Sequence, residues 1–485
     1  MLANRAEVRA CKLLSISVFS SRRITGCTVA KIALNRRSAK AMAAPAQVPS
    51  PPVAKKVRHE MEMFGDLRID NYYWLRDDSR SDPEMLSYLR SENAYTDSIM
   101  SGTKDLENRI FGEIRGRIKE DDITAPQRKG PYYYYQRTLQ GMEYVQHCRR
   151  AVPDPTAPLS VHDTMPTTAP EHVLLDENLK AQGHAYYSIG VFQVSPNHKL
   201  IAYAEDQKGD EIYTVYVIDA ETGAPVGNPL FNVTSYLQWA GDDALAYITM
   251  DEILRPDKES FKFLLRLNSN LMVWLHKLGT EQSSDSCLYH EKDDMFSLDL
   301  QASESKKFLF VGSESKNTRF VFYLDVSKPE NGLMVLTPRV DGIDTSVGHR
   351  GDHFFIKRRS AEFYNSEVLA CPLDNTSATI VLLPHTESVK IQDIQLFSDH
   401  LVVYERENGL PKVIVHRLPV VGESLKGLPG GQAVNFVDPI YSVDPSESEF
   451  SSSILRFSYS SLRTPPSVYD YDMNSGISVL KKIEP

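Results

Sequence analysis

Residues 216–223 read Tyr-Val-Ile-Asp-Ala-Glu-Thr-Gly (YVIDAETG), a short apolar strand that ends in a polar turn. A strand-and-turn mark of this type recurs along most of the chain. The seven marks lie at Arg149, Asp219, Leu278-Gly279, Asp325, Leu373, Arg417 and Asp472, in steps of 70, 59, 47, 48, 44 and 55 residues. Because the four strands of a propeller blade occupy about 40–50 residues, the repeat predicts a mainly β protein with a seven-bladed β-propeller. A β-sandwich followed by a second β domain is the alternative.

Two steps are longer than a blade needs. The first contains the proline-rich stretch 152–170, which predicts an extended loop. The second contains residues 259–272 (ESFKFLLRLNSNLM), whose removal would restore an ordinary step of 45 residues. We therefore expect an insertion outside the blade framework. Its large apolar residues are Phe261, Phe263, Leu264, Leu265, Leu267 and Leu271.

Residues 48–126 predict an α-helical segment before the propeller, which we place at 127–476. Asp82-Pro83 is typical of a helix N-terminus, with an N-cap followed by proline at the first helical position. A second helix is predicted to begin near Thr103. Its apolar residues fall on one face that needs a partner surface. These residues are Leu106, Ile110, Phe111, Ile114 and Ile118.

Composition excludes several classes of protein. The 485 residues are 41% apolar and 24% charged, which is enough to bury a sizeable core. The net charge of −10 argues against nucleic acid or an anionic membrane surface as the main partner. The sequence contains no run of about 18 apolar residues, so no transmembrane helix is predicted. The five cysteines (Cys11, Cys27, Cys148, Cys287 and Cys371) form no CxxC pair, which fits a reducing compartment.

The first 50 residues are strongly basic, with nine Lys or Arg residues and one acid, Glu7. Such a leader is typical of an organellar transit peptide. A disordered tail or an upstream extension, with Met42 as the start of a shorter form, is equally compatible. We assign 1–47 to this leader. The expected location is the cytoplasm, or the chloroplast or mitochondrion if 1–41 is a transit peptide.

No motif predicts an active site. The two G-x-x-x-G frames, at 223–227 and 427–431, hold Pro225 and Pro429 where a nucleophile elbow needs serine. The sequence has no phosphate-binding loop, no GxGxxG and no HExxH. Adjacent acids such as Asp121-Asp122 are more typical of solvated turns than of catalytic dyads. We therefore predict no catalytic, cofactor-binding or metal-binding residue, and no cofactor.

Several stretches resemble the prolyl oligopeptidase family of serine peptidases. The run 70–77 (DNYYWLRD), with Tyr88-Leu89 and 92–95 (ENAY), is similar to the family's N-terminal signature. Later stretches resemble oligopeptidase B in particular. They are 115–122, 132–144, 194–197, 202–216, Arg255-Pro256 and 274–280. The resemblance covers roughly residues 50–485, and residues 259–272 interrupt it between Arg255-Pro256 and Trp274.

This resemblance implies a helical segment, a seven-bladed propeller and then an α/β-hydrolase domain. In such enzymes the helical segment packs on the hydrolase domain, and the propeller admits only short peptides, which oligopeptidase B-like enzymes cleave after Lys or Arg. The family's Ser, Asp and His triad lies in the domain that would follow residues 477–485, which we interpret as the start of a linker. No position here matches the triad, so whether this chain is an enzyme stays open.

Three hypotheses follow. The chain is the propeller part of an oligopeptidase B-like peptidase, from a truncated gene model or splice form, and is inactive alone. Alternatively, it is a stand-alone propeller with a binding or regulatory role, or an unrelated propeller scaffold. The expected partners are short peptides, which would bind through the missing catalytic domain. Self-association or a chaperone at the exposed helical face is also expected, whereas nucleic acid and membranes are not.

Overall fold

The computed structural model describes residues 50–77, 81–249, 271–428 and 430–484. The chain divides into two compact units, one up to Lys104 and one from Asp105 onward. The predicted leader, 1–47, lies wholly outside the described residues.

Among the described residues, the first element of the first unit is a β-hairpin and not a helix. Strands β1 (His59–Met63) and β2 (Asp66–Asp70) pair antiparallel around Phe64 and Gly65, which both have positive φ. A two-residue turn of this kind matches the twist of the two strands. A 3₁₀ turn (Tyr73–Leu75) and helix α1 (Pro83–Met100) follow. The helix begins as predicted, with the Asp82 carboxylate accepting the backbone N–H groups of Glu84 and Met85.

The second unit opens with helix α2 (Lys104–Arg115) and continues into seven antiparallel blades. The first blade contains β3 (Asp122–Ile123), β4 (Gln127–Lys129), β5 (Tyr132–Thr138), β6 (Gln146–Ala151) and β7 (His172–Asp176). The second contains β8 (Ser188–Val194), β9 (Leu200–Asp206), β10 (Tyr213–Asp219) and β11 (Leu230–Trp239), and the third contains β12 (Ala244–Thr249), β13 (Met272–Lys277) and β14 (Ser286–His290). The fourth contains β15 (Ser297–Ala302), β16 (Phe308–Glu314), β17 (Arg319–Asp325) and β18 (Met334–Thr337). The fifth blade contains β19 (Asp344–Arg350), β20 (His353–Arg359), β21 (Glu367–Pro372) and β22 (Ile380–Leu383). The sixth contains β23 (Val389–Leu396), β24 (His400–Glu407), β25 (Leu410–Arg417) and β26 (Gln432–Ala433). The seventh contains β27 (Tyr441–Pro445), β28 (Ile454–Ser461), β29 (Ser467–Asp472) and β30 (Ile477–Ile483). The short elements between strands are α3 (Glu177–Lys180) and the 3₁₀ turns Gln282–Ser284 and Pro329–Asn331.

The first three blades depart from a regular four-stranded blade. The start of β11 pairs with β10 and its end pairs with β12, so this strand closes the second blade and opens the third. In the first blade β3 and β4 both pair with β5. The first strands of successive blades lie side by side, since β11 contacts β15 and β19 contacts β23. We call these first strands the inner strands.

The seven sequence marks fall at the ends of the third strands. Examples are Asp219 at the end of β10, Asp325 at the end of β17 and Asp472 at the end of β29. The prediction of a mainly β fold with seven blades after an N-terminal helical segment is therefore confirmed. The repeat was visible because most third strands are rich in apolar residues and are followed by a polar turn, although β6 (QHCRRA) is not apolar.

Apolar side chains join six successive pairs of blades. Each of six buried clusters contains residues of two consecutive blades, from the first and second to the sixth and seventh. Phe310 and Phe354, for example, belong to the cluster between the fourth and fifth blades. A fully buried side chain of this size contributes about 1.5–3 kcal/mol, so these clusters supply most of the stabilisation between blades.

Three predicted boundaries differ from the structure. The blades extend beyond 127–476, because β3 begins at Asp122 and β30 ends at Ile483, inside the stretch interpreted as a linker. The end of the predicted insertion is also wrong. Leu271 packs against the cluster between the third and fourth blades, and Met272 pairs with Thr249 and His290. The other residues predicted for the insertion, 259–270, lie outside the described residues.

Candidate functional site

Sequence reasoning predicted no catalytic residue, and the described residues of its two candidate frames lie in connections between strands. Pro225 lies between β10 and β11, where it forms a bridge with Ile218. Pro429 lies outside the described residues. Within the described ranges, no group of three or more His, Cys, Asp or Glu residues comes together to hold a metal ion.

One serine and histidine pair has the distance of a nucleophile and its base. Ser305 Oγ lies 2.6 Å from His349 Nδ1, and His349 Nε2 lies 3.0 Å from the carbonyl oxygen of Gly351. The third group is therefore a backbone carbonyl, where a triad has a carboxylate. Burial lowers the pKa of His349 to about 4, far below that of an effective general base at neutral pH. The pair is thus better suited to holding two blades together than to acyl transfer.

The residues of the oligopeptidase B-like stretch 274–280 are also structural. Trp274 Nε1 donates to Thr249 Oγ1 (2.8 Å), which ties β13 to β12. His276 Nδ1 lies 2.8 Å from Asp285 Oδ1, and both side chains are buried. This stretch therefore fixes the third blade.

In the connections between strands, exposed apolar side chains lie mostly on one face of the ring. We call it the loop face, because it carries the turns between second and third strands and the connections from one blade to the next. Ten exposed apolar residues lie in these connections: Met142, Leu179, Tyr186, Ile212, Met295, Val340, Tyr364, Val437, Ile440 and Leu462. Among the described connections on the opposite face, only Val420 and Val421 are comparable. The connections of the loop face therefore expose more apolar residues than those of the opposite face.

The most exposed part of the loop face is held rigidly. Asp438 accepts hydrogen bonds from Tyr459, Ser461 and Arg463, each at 2.8 Å, and from Thr464 at 3.0 Å. These bonds, led by the one from Tyr459, hold the pKa of Asp438 well below its usual range. They tie the connection before β27 to the turn after β28. The flanking Val437, Ile440 and Leu462 are thus presented on a fixed backbone.

The predicted apolar stripe of α2 is exposed. Leu106, Ile110, Phe111, Ile114 and Ile118 are each between 41% and 59% exposed. An open groove of about 530 Å³ lies at the C-terminal end of α2, lined in part by Arg115, Ile118 and Glu120. The helix therefore carries an apolar face that the rest of its unit does not cover.

The seventh and first blades meet through polar groups. Lys482 Nζ donates to the Asp122 carboxylate and to the carbonyl oxygen of Ile123. Arg456 donates to the carbonyl oxygen of Pro126 (3.0 Å), and Lys129 pairs with Glu447 (2.6 Å). No strand pairing joins the first and seventh sheets within the described residues. Side chains therefore close the ring, and both of its ends, at Asp122 and Ile483, lie on the loop face.

Comparison with known families decides what this ring is. Residues 51–484 match the family described as "Prolyl oligopeptidase, N-terminal beta-propeller domain". The chain belongs to the prolyl oligopeptidase family. The resemblance predicted from the sequence, including that to oligopeptidase B, is thereby confirmed.

Comparisons with individual relatives support the same family assignment. The chain is 30% identical to "Protease 2" of Moraxella lacunata over 90% of its own length and 58% of that protein. It is 32% identical to "Dipeptidyl aminopeptidase BI" of Pseudoxanthomonas mexicana over 88% and 57%. Oligopeptidase B from Leishmania major superimposes with a TM-score of 0.77 at 28% identity, over 90% of this chain and 61% of that one. The chain thus spans about three fifths of the length of these relatives.

None of the helices in the described part of the chain is long and apolar enough to cross a membrane.

Proposed function

We propose that this chain is the propeller-bearing part of an oligopeptidase B-like serine peptidase that cleaves short peptides after Lys or Arg. The observation that carries the proposal is the family match over 51–484, combined with coverage of only 58% of "Protease 2". The chain alone is not expected to hydrolyse peptides. Acyl transfer needs an activated nucleophile, a base and an oxyanion hole within mutual reach, and the Ser305–His349 pair does not provide them.

The loop face supports a role as one side of a two-domain enzyme. Ten exposed apolar residues and both ends of the ring lie on this face. We propose that it covers a catalytic domain and limits access to short peptides. The exposed stripe of α2 is proposed to pack against the same domain. In the isolated chain this stripe is instead proposed to mediate self-association or to bind a chaperone.

Peptidase assays on two proteins test the proposal. The first is the purified chain, and the second is the chain extended with the catalytic domain of a close relative. With fluorogenic peptides, the chain alone should show no turnover and no labelling by an active-site serine probe. The extended protein should cleave after Arg and Lys, and a peptide with Leu at that position should stay intact. Labelling and turnover by the chain alone, or equal cleavage after Leu, would contradict the proposal.

The basic leader supports a second, independent proposal about location. We propose that residues 1–41 direct the protein to a chloroplast or mitochondrion, with the cytoplasm as the location of a form starting at Met42. A fluorescent protein fused after residue 47 should then enter the organelle. The same fusion with the nine basic residues changed to Gln should stay in the cytoplasm. Diffuse fluorescence from both fusions would contradict targeting.

A further inference from the structure

The proline-rich connection between β6 and β7 is fastened to the first blade. Its residues 154–163, which we call the strap, accept hydrogen bonds from Arg128 in β4, a residue that is 9% exposed. The guanidinium donates to the carbonyl oxygens of Pro155 (3.2 Å) and Ala157 (2.7 Å) and to Asp163 Oδ2 (3.2 Å). Because hydrogen bonds from a charged donor are stronger than neutral ones, the strap has a defined path although it contains no helix or strand.

The strap is also fastened to the seventh blade. Lys481 Nζ, in β30, donates to the carbonyl oxygens of Val161 (3.1 Å) and Asp163 (2.6 Å), which lie about 320 residues away along the chain. The contact is largely shielded from water, since the Lys481 side chain is 13% exposed and Val161 is 4% exposed. The strap therefore crosses the junction at which the last blade meets the first.

A β-bulge directs Lys481 to the strap. Val468 in β29 pairs with Lys482, but the next residue, Tyr469, pairs with Leu480, so that Lys481 is the extra residue of β30. In a regular strand two consecutive side chains point to opposite faces of the sheet, whereas a bulge changes the direction of a side chain. Here both lysines reach the first blade, Lys481 at the strap and Lys482 at β3.

One buried carboxylate stabilises the cations on this side of the junction. Asp470 is 6% exposed, accepts two hydrogen bonds from Arg456 (2.7 and 2.9 Å) and lies 3.7 Å from Lys481 Nζ. Arg456 in turn donates to the carbonyl oxygen of Pro126 (3.0 Å). A buried cation without a counter-charge is costly. Asp470 therefore allows two cations of the seventh blade to donate to backbone carbonyls of the first.

We propose that the strap is a releasable fastening that closes the ring, in place of a strand shared between the first and seventh blades. Two hydrogen bonds from a single lysine attach it to the seventh blade, whereas buried apolar clusters join the other blades. The strap can therefore be released without breaking a strand pair or an apolar cluster. Once it is released, the polar contacts of the junction open as one unit while the six apolar interfaces stay packed.

Amide hydrogen exchange of the full wild-type chain in increasing urea, below the unfolding transition, tests the fastening. Amides of the strap, including that of Asp163, which donates to the Ser160 carbonyl, should exchange through the same opening as those of β3 and β30. The free energy of this opening should be lower than that of β19 and β20. Different opening free energies for the strap and β30 would overturn the proposal.

Substitutions at the two ends of the strap test the same coupling. Asp163→Ala removes the carboxylate that Arg128 contacts but keeps the carbonyl that accepts from Lys481, and Lys481→Met removes the donor on the seventh blade. Because each variant loses a hydrogen bond to a charged group, each should accelerate exchange by about 10-fold in both the strap and β30. The controls Thr164→Ala and Ser478→Ala change exposed residues beside the strap and in β30. Both controls should exchange like the wild type.

An effect confined to one side of the junction would overturn the proposal. This would be the case if Asp163→Ala accelerated exchange in the strap and left β30 unchanged, or if Lys481→Met accelerated β30 and left the strap unchanged. If either variant does not fold, the urea series on the wild type still decides, since it needs no substitution.

Discussion

Six interfaces between blades are built from buried apolar side chains, whereas the interface between the last and first blades is built from Lys, Arg and carboxyl groups. Phe354 and Leu309 are fully buried within two of the six. At the junction of the last and first blades, Lys482 and Arg456 donate to backbone carbonyls of the first blade. No seventh apolar cluster is found there among the described residues. Burial of apolar surface does not depend on the ionisation of side chains, whereas charged contacts are weakened by screening ions and by titration. The ring is therefore expected to be weakest where it closes.

Removing a side chain from an apolar interface should have the largest effect on stability. Phe354→Ala leaves a cavity between the fourth and fifth blades and should lower the free energy of unfolding by about 3–5 kcal/mol. The matched control is Phe231→Ala, since Phe231 is 55% exposed. Urea unfolding should show a loss below about 1 kcal/mol for the control. Equal losses would mean that the apolar clusters do not dominate the stability of the ring.

Breaking the polar junction should cost less and should act locally. Lys482→Met removes the donor to Asp122 and Ile123, and a lost charge-assisted hydrogen bond costs about 1.5–3 kcal/mol. Hydrogen exchange should accelerate in β3 and β30 but not in β19 and β20. The control Lys390→Met removes an exposed lysine from β23. Uniform acceleration in all blades would contradict a locally weak closure.

The stability of the protein in acid should also distinguish the polar junction from the apolar interfaces. Burial opposes ionisation of Asp122, but hydrogen bonds from Lys119 and Lys482 outweigh it and lower its pKa to about 2 from an ordinary value of 3.8. Because the folded pKa is lowered, the stabilisation is present above pH 3.8 and is lost as the pH falls through about 2. Between about pH 5 and about pH 2, the wild type should lose about 1–2 kcal/mol more than Asp122→Asn. Parallel curves for the two proteins would show that this carboxylate contributes nothing to closure.

The same contrast explains what the sequence could predict. The apolar strands repeat, so the seven marks identified the blades, and the Asp82-Pro83 signal located α1 because capping is local. The hairpin β1–β2 was missed, although its alternation of polar and apolar residues was a usable signal. The junction was not predictable, since Lys482 and Asp122 are 360 residues apart and nothing in their neighbours indicates the pairing.

The smallest effect on stability is expected at the exposed stripe of α2. Ile114 is 46% exposed, so Ile114→Gln should change the free energy of unfolding by less than about 0.5 kcal/mol. Because a contiguous apolar patch favours association, the substitution should nevertheless reduce self-association in sedimentation and the binding of a dye for apolar surface. The control Arg109→Gln changes an exposed residue of α2 outside the stripe and should leave both unchanged. Slow hydrogen exchange across 104–118 in a monomer that binds no dye would show that the stripe is covered. Ile114→Gln should then cost as much as a buried substitution, and a self-sufficient binding protein would be favoured over part of a peptidase.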